Sequence, residues 1–432
     1  MTVPAHRLRR FGKLSGMTAG IAGNMALNGI AQLGRGQRPA MRDLLLTPRN
    51  ITRVADQLAQ MRGAAMKIGQ LMSMDSGEVL PPELSQIMAR LRNDAHFMPP
   101  AQLKQVLNAA WGADWLRSFA KFDVRPIAAA SIGQVHRATL KDGRMLAIKV
   151  QYPGVAKSID SDVANVGALM RMSGLLPKGF ALAPFLDEAR KQLHEETDYA
   201  REGAQLERFG ALLADAPDFV VPDLHADWST QDVLAMSFVA GTPIEEMTSA
   251  DQATRNRITR QLIELTLREL FDFGAMQTDP NFANYLYDAG QDKIVLLDFG
   301  AARDIPDDIA QHYRDLMRAG LEDDAVAIEN IAIDIGFLGA DTEASHRKQI
   351  VEMIRLVFTS LRDAQSFDFL RNDLSQEMQI RGMALAESGF IPPPVPIDIL
   401  LLQRKFGGIF LLGKRLGAQV DLNELLRCYL SK

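Results

Sequence analysis

The sequence predicts an α+β protein with two lobes, a small β-rich one followed by a larger helical one. Three observations carry that prediction. Hydrophobic spacing is helical before about residue 120 and changes there to short alternating runs. Two pairs of β-rich runs are punctuated by turn residues, at KDGR and at DAGQD. From NRITRQLIELTLRELFDFG onward the chain is mostly helical in pattern. The boundaries that follow are 1–45 for a basic and amphipathic amino-terminal segment and 46–118 for a helical extension. Residues 119–240 would form the β-rich lobe with a helical insertion, and 241–432 the helical lobe. A net charge of -5 gives no basic field for nucleic acid. One cysteine, Cys428, excludes an internal disulfide and leaves no ligand spacing for zinc or an iron–sulfur cluster.

The elements are justified in order. HRLRRFGK opens a basic stretch, and the uncharged run Leu14 to Gly34 follows it. Gly16, Gly20, Asn24, Asn28 and Gln32 recur every fourth residue and share a helix face, which would place amides in hydrocarbon if this were a lone span. The readings open here are an interfacial or partner-packed amphipathic helix, a plain soluble helix, or a signal peptide or true span. Next, Ile51, Val54, Leu58, Met61, Ala65, Ile68 and Met72 mark an amphipathic helix capped by Asn50. Between Met61 and Met74 only Arg62 and Lys67 are charged, so this helix lacks a solvating face. Lys67 is either exposed or buried with an acidic partner, and the pattern favours burial. SIGQVHRATL and MLAIKVQ read as a hairpin, 156–213 as helix broken at LLPKGF, and FVVPDL with VLAMSFV as another strand pair. After the helix that ends at FDFG come the loop QTDPNFAN and the hairpin YLYDAGQDKIVLLDFG. Helices interrupted by IPPPVP complete the chain. Among them LLLQRKFGGIFLLGKRLG is basic and amphipathic and reads as part of the helical lobe.

Asp279 and Asn284 stand five apart, and Asp298 opens Asp-Phe-Gly just past an apolar strand. Protein-kinase-like folds place an Asp and an Asn at that interval, with Asp-Phe-Gly ending the next hairpin. The chemistry explains the interval: Asn284 and Asp298 are hard oxygen ligands for Mg²⁺, and Asp279 orients or deprotonates an acceptor. AIKV places Lys149 on a strand, where it would reach nucleotide phosphates. Ala128, Ala130 and Gly133 occupy the positions of a G-x-G-x-x-G loop, so an Ala-rich turn, Ala128, Ala129, Ala130 and Ser131, replaces two glycines. The acidic partners on offer are Glu196, Asp198 and Glu202 in HEETDYAREGAQL, whose other reading is a solvated helix face.

With these motifs the chain resembles the UbiB/AarF family of atypical kinase-like proteins, in its coenzyme Q (ubiquinone) branch. The resemblance rests on Lys67-Ile68-Gly69-Gln70 as KxGQ, the Ala-rich turn, Glu196-Thr197-Asp198 as ExD, and QTDP through Asn284. It implies a protein-kinase-like two-lobed fold with a helical extension over the cleft. It also implies Lys67 facing Glu196 and Asp198, Lys149 paired with Glu202, Gln70 near the nucleotide, and binding of ATP or ADP with Mg²⁺. A hinge through Met236, Ser237, Phe238 and Val239 would read adenine. No Ala-Pro-Glu follows DFGAARDIPDDIAQHYRDL, and no long Ser/Thr/Tyr-bearing loop does, which disfavours protein substrates.

Three functions remain in view. One is an ATPase that supports ubiquinone biosynthesis at a membrane surface by acting on or presenting quinone or lipid precursors. The others are a catalytically idle pseudokinase scaffold and a protein kinase. The expected setting is cytoplasmic, peripheral at the inner face of a membrane. Anionic lipid and quinone precursors are the expected partners beside the nucleotide, with a homodimer or a biosynthetic complex and no nucleic acid.

Overall fold

The computed structural model describes residues 56, 58, 61–75, 97–173, 182–362, 366–371, 373–393 and 395–430. The amino-terminal amphipathic run, the Asn50 cap and LLPKGF lie outside the described residues. The chain divides into two compact units.

The first unit comprises the described residues up to Gly203 together with Asp223–Phe238. Its helices are α1 (Arg62–Asp75), α2 (Pro100–Trp111), α3 (Val155–Ser173), α4 (Ala183–Glu196) and the start of α5 (Tyr199–Leu212). Strands β1 (Phe119–Phe122), β2 (Ala128–Ala129), β3 (Gly133–Leu140), β4 (Met145–Gln151) and β5 (Val233–Ser237) make an antiparallel sheet. Its order is β1-β3-β4-β5, with β2 added on β3. The hairpin expected from SIGQVHRATL and MLAIKVQ is therefore present, with Val135 opposite Lys149. Side chains alternate along a strand, so Leu146, Ile148 and Val150 share one face and Lys149 points from the other. The first face is closed by Leu103 and Leu107 of α2 and by Phe119 and Trp111. A second core joins α1 to α3 and α4 through Leu58, Ala65, Ile68, Leu71, Val163, Val166 and Leu193. This packing covers both sides of α1, as its uncharged faces predict.

The second unit holds 204–222 and 239–432. It begins with the end of α5 and continues with β6 (Thr242–Pro243) and α6 (Gln252–Phe271), capped by Asp251, whose side chain accepts from the Thr254 amide. Strands β7 (Ala275–Gln277), β8 (Tyr285–Asp288), β9 (Lys293–Leu296) and β10 (Ala302–Asp304) follow. β8 and β9 form the second expected hairpin, and β7 pairs with β10. Helices α7 (Asp307–Glu322), α8 (Ala325–Ile335), α9 (Ala344–Arg362), α10 (Leu374–Glu387), α11 (Ile397–Leu416) and α12 (Leu422–Leu430) complete it. Leu267, Met276, Leu316, Ile328, Leu402 and Leu425 form its core.

The predicted pairing of FVVPDL with VLAMSFV is corrected in part. Phe219–Val220 runs parallel to β9 in the second unit, while β5 belongs to the sheet of the first. The link to β5 is limited to the end of FVVPDL, where Leu224 bridges to Met236 and the Asp223 carbonyl accepts from the Ser237 amide. No described helix is long and apolar enough to cross a membrane.

Candidate functional site

In the first unit two buried lysines each meet a glutamate. Lys149 Nζ donates to both carboxylate oxygens of Glu202, at 2.7 and 2.9 Å, and lies 5.3 Å from the centre of the Tyr199 ring. The residues are 8% and 2% exposed, which makes this a desolvated, two-pronged pair rather than a surface contact. Lys67, 6% exposed, forms an ion pair with Glu196, and Glu196 Oε2 also accepts from Ser131 Oγ at 2.6 Å. One carboxylate thus ties α1 to the Ala-rich turn. Asp198 is exposed, and its side chain accepts from the Arg201 amide at the start of α5. The side chain of Gln70 lies outside the described residues.

The local folding of the Ala-rich turn explains why alanine suffices there. Ala128 and Ala129 are extended and pair with Val135 and Gln134 of β3, and the Ala130 amide donates to the Gly133 carbonyl. Among the described non-glycine residues, positive φ occurs only at Asp292 and Asp323, so nothing at 128–131 needs a glycine conformation. Gly133 is different: an added Cβ would lie 2.4 Å from the Val150 carbonyl oxygen, so the adjoining strand excludes any side chain. At the expected hinge, the Ser237 amide donates to Asp223 and the Phe238 amide to Met145. Those two donors are already committed to backbone carbonyls, and Met236 is buried.

In the second unit the loop after β7 carries Asp279 and Asn284. The Asn284 side-chain Nδ2 donates to the Asp279 carbonyl at 3.3 Å and to its Oδ2 at 3.4 Å. Asp298 Oδ1 accepts from the Gly300 amide at 2.9 Å, a turn that fixes the carboxylate at the end of β9. Asn284 and Asp298 line one small cavity with Glu269, Gln277, Tyr285 and Lys405. Two hard oxygen donors on a shared cavity suit Mg²⁺, which takes one or two protein ligands and completes its shell with water and phosphate oxygens. No three His, Cys, Asp or Glu among the described residues converge into a self-sufficient metal cage.

Sequence reasoning missed the side chains that α11 and α6 bring here. Arg404 Nη2 donates to Asp279 Oδ1 at 2.7 Å. Lys405, fully buried, donates to the Gln277 carbonyl and to the Tyr285 hydroxyl, and pairs with Glu269 of α6. Burial works against charge on Lys405, yet the Glu269 carboxylate and Tyr285 outweigh it and hold the ammonium above its usual pKa. Burial pushes Glu269 up, opposed by Lys405 and the Gln277 amide. Taken together, two hydrogen-bond acceptors and one ion-paired carboxyl around the ammonium support the charged form of Lys405. The Tyr285 hydroxyl is also pushed up by burial, so it stays protonated.

The ABC1 atypical kinase-like domain matches residues 90–332. The mitochondrial atypical kinase COQ8 of Saccharomyces cerevisiae is 38% identical over 99% of this chain and 85% of its own length. Mitochondrial atypical kinase COQ8B of Rattus norvegicus is 37% identical, over 98% of this chain and 80% of its own. Among solved structures, the complex of Rv3197 with erythromycin from Mycobacterium tuberculosis superposes with a TM-score of 0.63 at 25% identity. That match covers 85% of this chain and 92% of the other.

Proposed function

The chain belongs to the ABC1 atypical kinase-like family, and from that premise we propose that it is a Mg-ATP-binding ATPase supporting ubiquinone biosynthesis. Lys149, held by Glu202, binds the nucleotide phosphates, and the Ala-rich turn 128–131 covers them. Asn284 and Asp298 hold Mg²⁺, which when bound neutralises phosphate charge. Asp279, steered by Arg404, orients the attacking group. The observation that carries this reading is the joint presence of Asn284 and Asp298 on one cavity beside the Asp279 loop.

The acceptor we propose is water or a quinone or lipid precursor at a peripheral membrane surface, not a protein. Support comes from the segment after Asp-Phe-Gly: β10 runs into α7 across only Ile305 and Pro306, which leaves no length for a peptide-docking activation loop. A second reading, the idle scaffold, is favoured by one contact. Arg404 occupies one oxygen of Asp279, and an ion-paired carboxylate is a less available base.

Phosphate release by the purified chain with Mg-ATP decides between them. Turnover in the wild type, its loss in Asp298→Asn and no labelled protein support the ATPase. Hydrolysis unchanged in Asp298→Asn would refute the metal assignment, and nucleotide binding without any turnover would establish the scaffold.

A further inference from the structure

The loop between β7 and β8 contains a short turn of its own, in which the Asn284 backbone amide donates to the Asn281 carbonyl at 2.9 Å and the Ala283 amide to Asn281 Oδ1 at 3.2 Å. That turn does not reach Asp279, whose links to the Asn284 side chain are 3.3 and 3.4 Å long, at the weak end of hydrogen bonding. The firm contacts at the two ends of the loop come from outside. Lys405 Nζ lies 2.8 Å from the carbonyl oxygen of Gln277, immediately before the loop, and 3.1 Å from the hydroxyl of Tyr285, immediately after it. Glu269 Oε2 stands 3.3 Å away as an ion-pair partner. Two N–H groups thus donate to two oxygens, with the Glu269 carboxyl at ion-pair distance, and Lys405 and Glu269 are each 1% exposed.

Such a pair is a poor way to gain stability, because apolar residues of similar volume fill buried space at no desolvation cost. Its position suggests a different use. One nitrogen atom binds both ends of the segment that carries Asp279 and Asn284, so their separation is fixed by two hydrogen bonds that converge on a single point. Neither α11 nor α6 can supply that alone: α11 brings the ammonium and α6 the charge that keeps it there.

We propose that Lys405, balanced by Glu269, is a positioning residue that clamps the two ends of the 278–284 loop and so sets the geometry between Asp279 and the metal ligand Asn284. The proposal rests on the ATPase reading for its functional consequence, but its structural consequence can be read without turnover.

The test uses the full chain and two changes. Lys405→Met combined with Glu269→Gln removes the clamp without leaving a lone buried charge, and Tyr285→Phe removes one of its contacts while keeping the ring. Lys414→Met makes the same chemical change elsewhere on α11 and serves as control. The readouts are the affinity of a fluorescent ATP analogue, phosphate release over a Mg²⁺ titration, and amide exchange across 278–284. The double variant is expected to bind nucleotide as the wild type does and to need more Mg²⁺. It should release phosphate about tenfold more slowly or worse, as a sub-ångström displacement of a reacting group produces. Exchange in 278–284 is expected to quicken in the double variant, less so in Tyr285→Phe, and not in Lys414→Met. Unchanged exchange in a folded double variant, or in Tyr285→Phe if the double variant does not fold, overturns the proposal. Should the wild type release no phosphate, or Asp298→Asn match it, the ATPase reading fails separately and the exchange data still decide whether the clamp exists.

Discussion

Gly408 and Gly407 are neighbours on α11, and the structure assigns them opposite responses to the same substitution. A Cβ on Gly408 would lie 2.3 Å from Cβ and 2.6 Å from Cγ of Pro280, the residue after Asp279. Carbon atoms in contact sit roughly 3.5–4.0 Å apart, so Gly408→Ala demands a displacement of about 1 Å between α11 and the loop. The proline ring cannot fold away, and α11 is anchored by Leu401, Leu402, Ile409 and Leu412, all buried. Overpacking of this kind costs ~1–3 kcal/mol. A Cβ on Gly407 meets nothing within 4 Å. Both changes gain the ~0.5–1 kcal/mol that alanine gives over glycine inside a helix. That gain cancels in the comparison, so the difference between the two variants is the overpacking cost alone, ~1–3 kcal/mol. Urea midpoints with matched slopes measure it directly. Gly407→Ala should be the more stable protein, with wild-type phosphate release, while Gly408→Ala should be less stable and slower because its strain falls on the Asp279 loop. Equal midpoints and equal rates for the two variants would refute the close approach of α11 to Pro280 and with it the role given to this helix.

Two further predictions follow from ion pairs of opposite exposure. Lys149→Met removes the two-pronged ion-pair partner of the buried Glu202 carboxylate and should cost ~3–5 kcal/mol, whereas Lys149→Met with Glu202→Gln should recover much of that stability and still fail to bind nucleotide; recovery of binding in the double variant, measured with a fluorescent ATP analogue, would show that Lys149 does not contact phosphate. Asp323, at the left-handed end of α7, is gripped by the guanidinium groups of Arg355 and Arg362, which hold its carboxyl down at about 2. A depressed folded-state pKa gives stability that is complete above the ordinary carboxylate value and fades as pH falls toward about 2. Asparagine tolerates the same backbone, so Asp323→Asn should lower the melting temperature at neutral pH and converge with the wild type as pH drops from about 4 to about 2; a gap that stays constant over that range would show that the charge is not what matters.

What the sequence made legible was local. The two hairpins follow from alternation and turn residues a few positions apart, and the Asp279, Asn284 and Asp298 intervals are short enough to read directly. Pairings between distant segments were less accessible. Phe219–Val220 joins β9 rather than β5, and nothing in a two-residue strand encodes which edge it adds to. The Lys405–Glu269 pair lies between these extremes, because its signal was present and was of a kind already used. Lys67 was read as buried because it interrupts a helix with no solvating face, and it is buried against Glu196. On α11, Leu402, Lys405, Ile409, Leu412 and Leu416 follow the same three-and-four spacing, and all five are buried. On α6, Ile258, Leu262, Leu265 and Glu269 do likewise. Each helix therefore carries one charge inside its apolar stripe, of opposite sign to the other. A charge in that position is too costly to leave alone, so two such charges in one unit predict each other. The basic character of LLLQRKFGGIFLLGKRLG hid this, because Lys414 and Arg415 suggest a solvated amphipathic face while Lys405 lies in the buried stripe. Position within the stripe, and not the count of charges along it, separates the lysine that holds the loop from those that meet solvent.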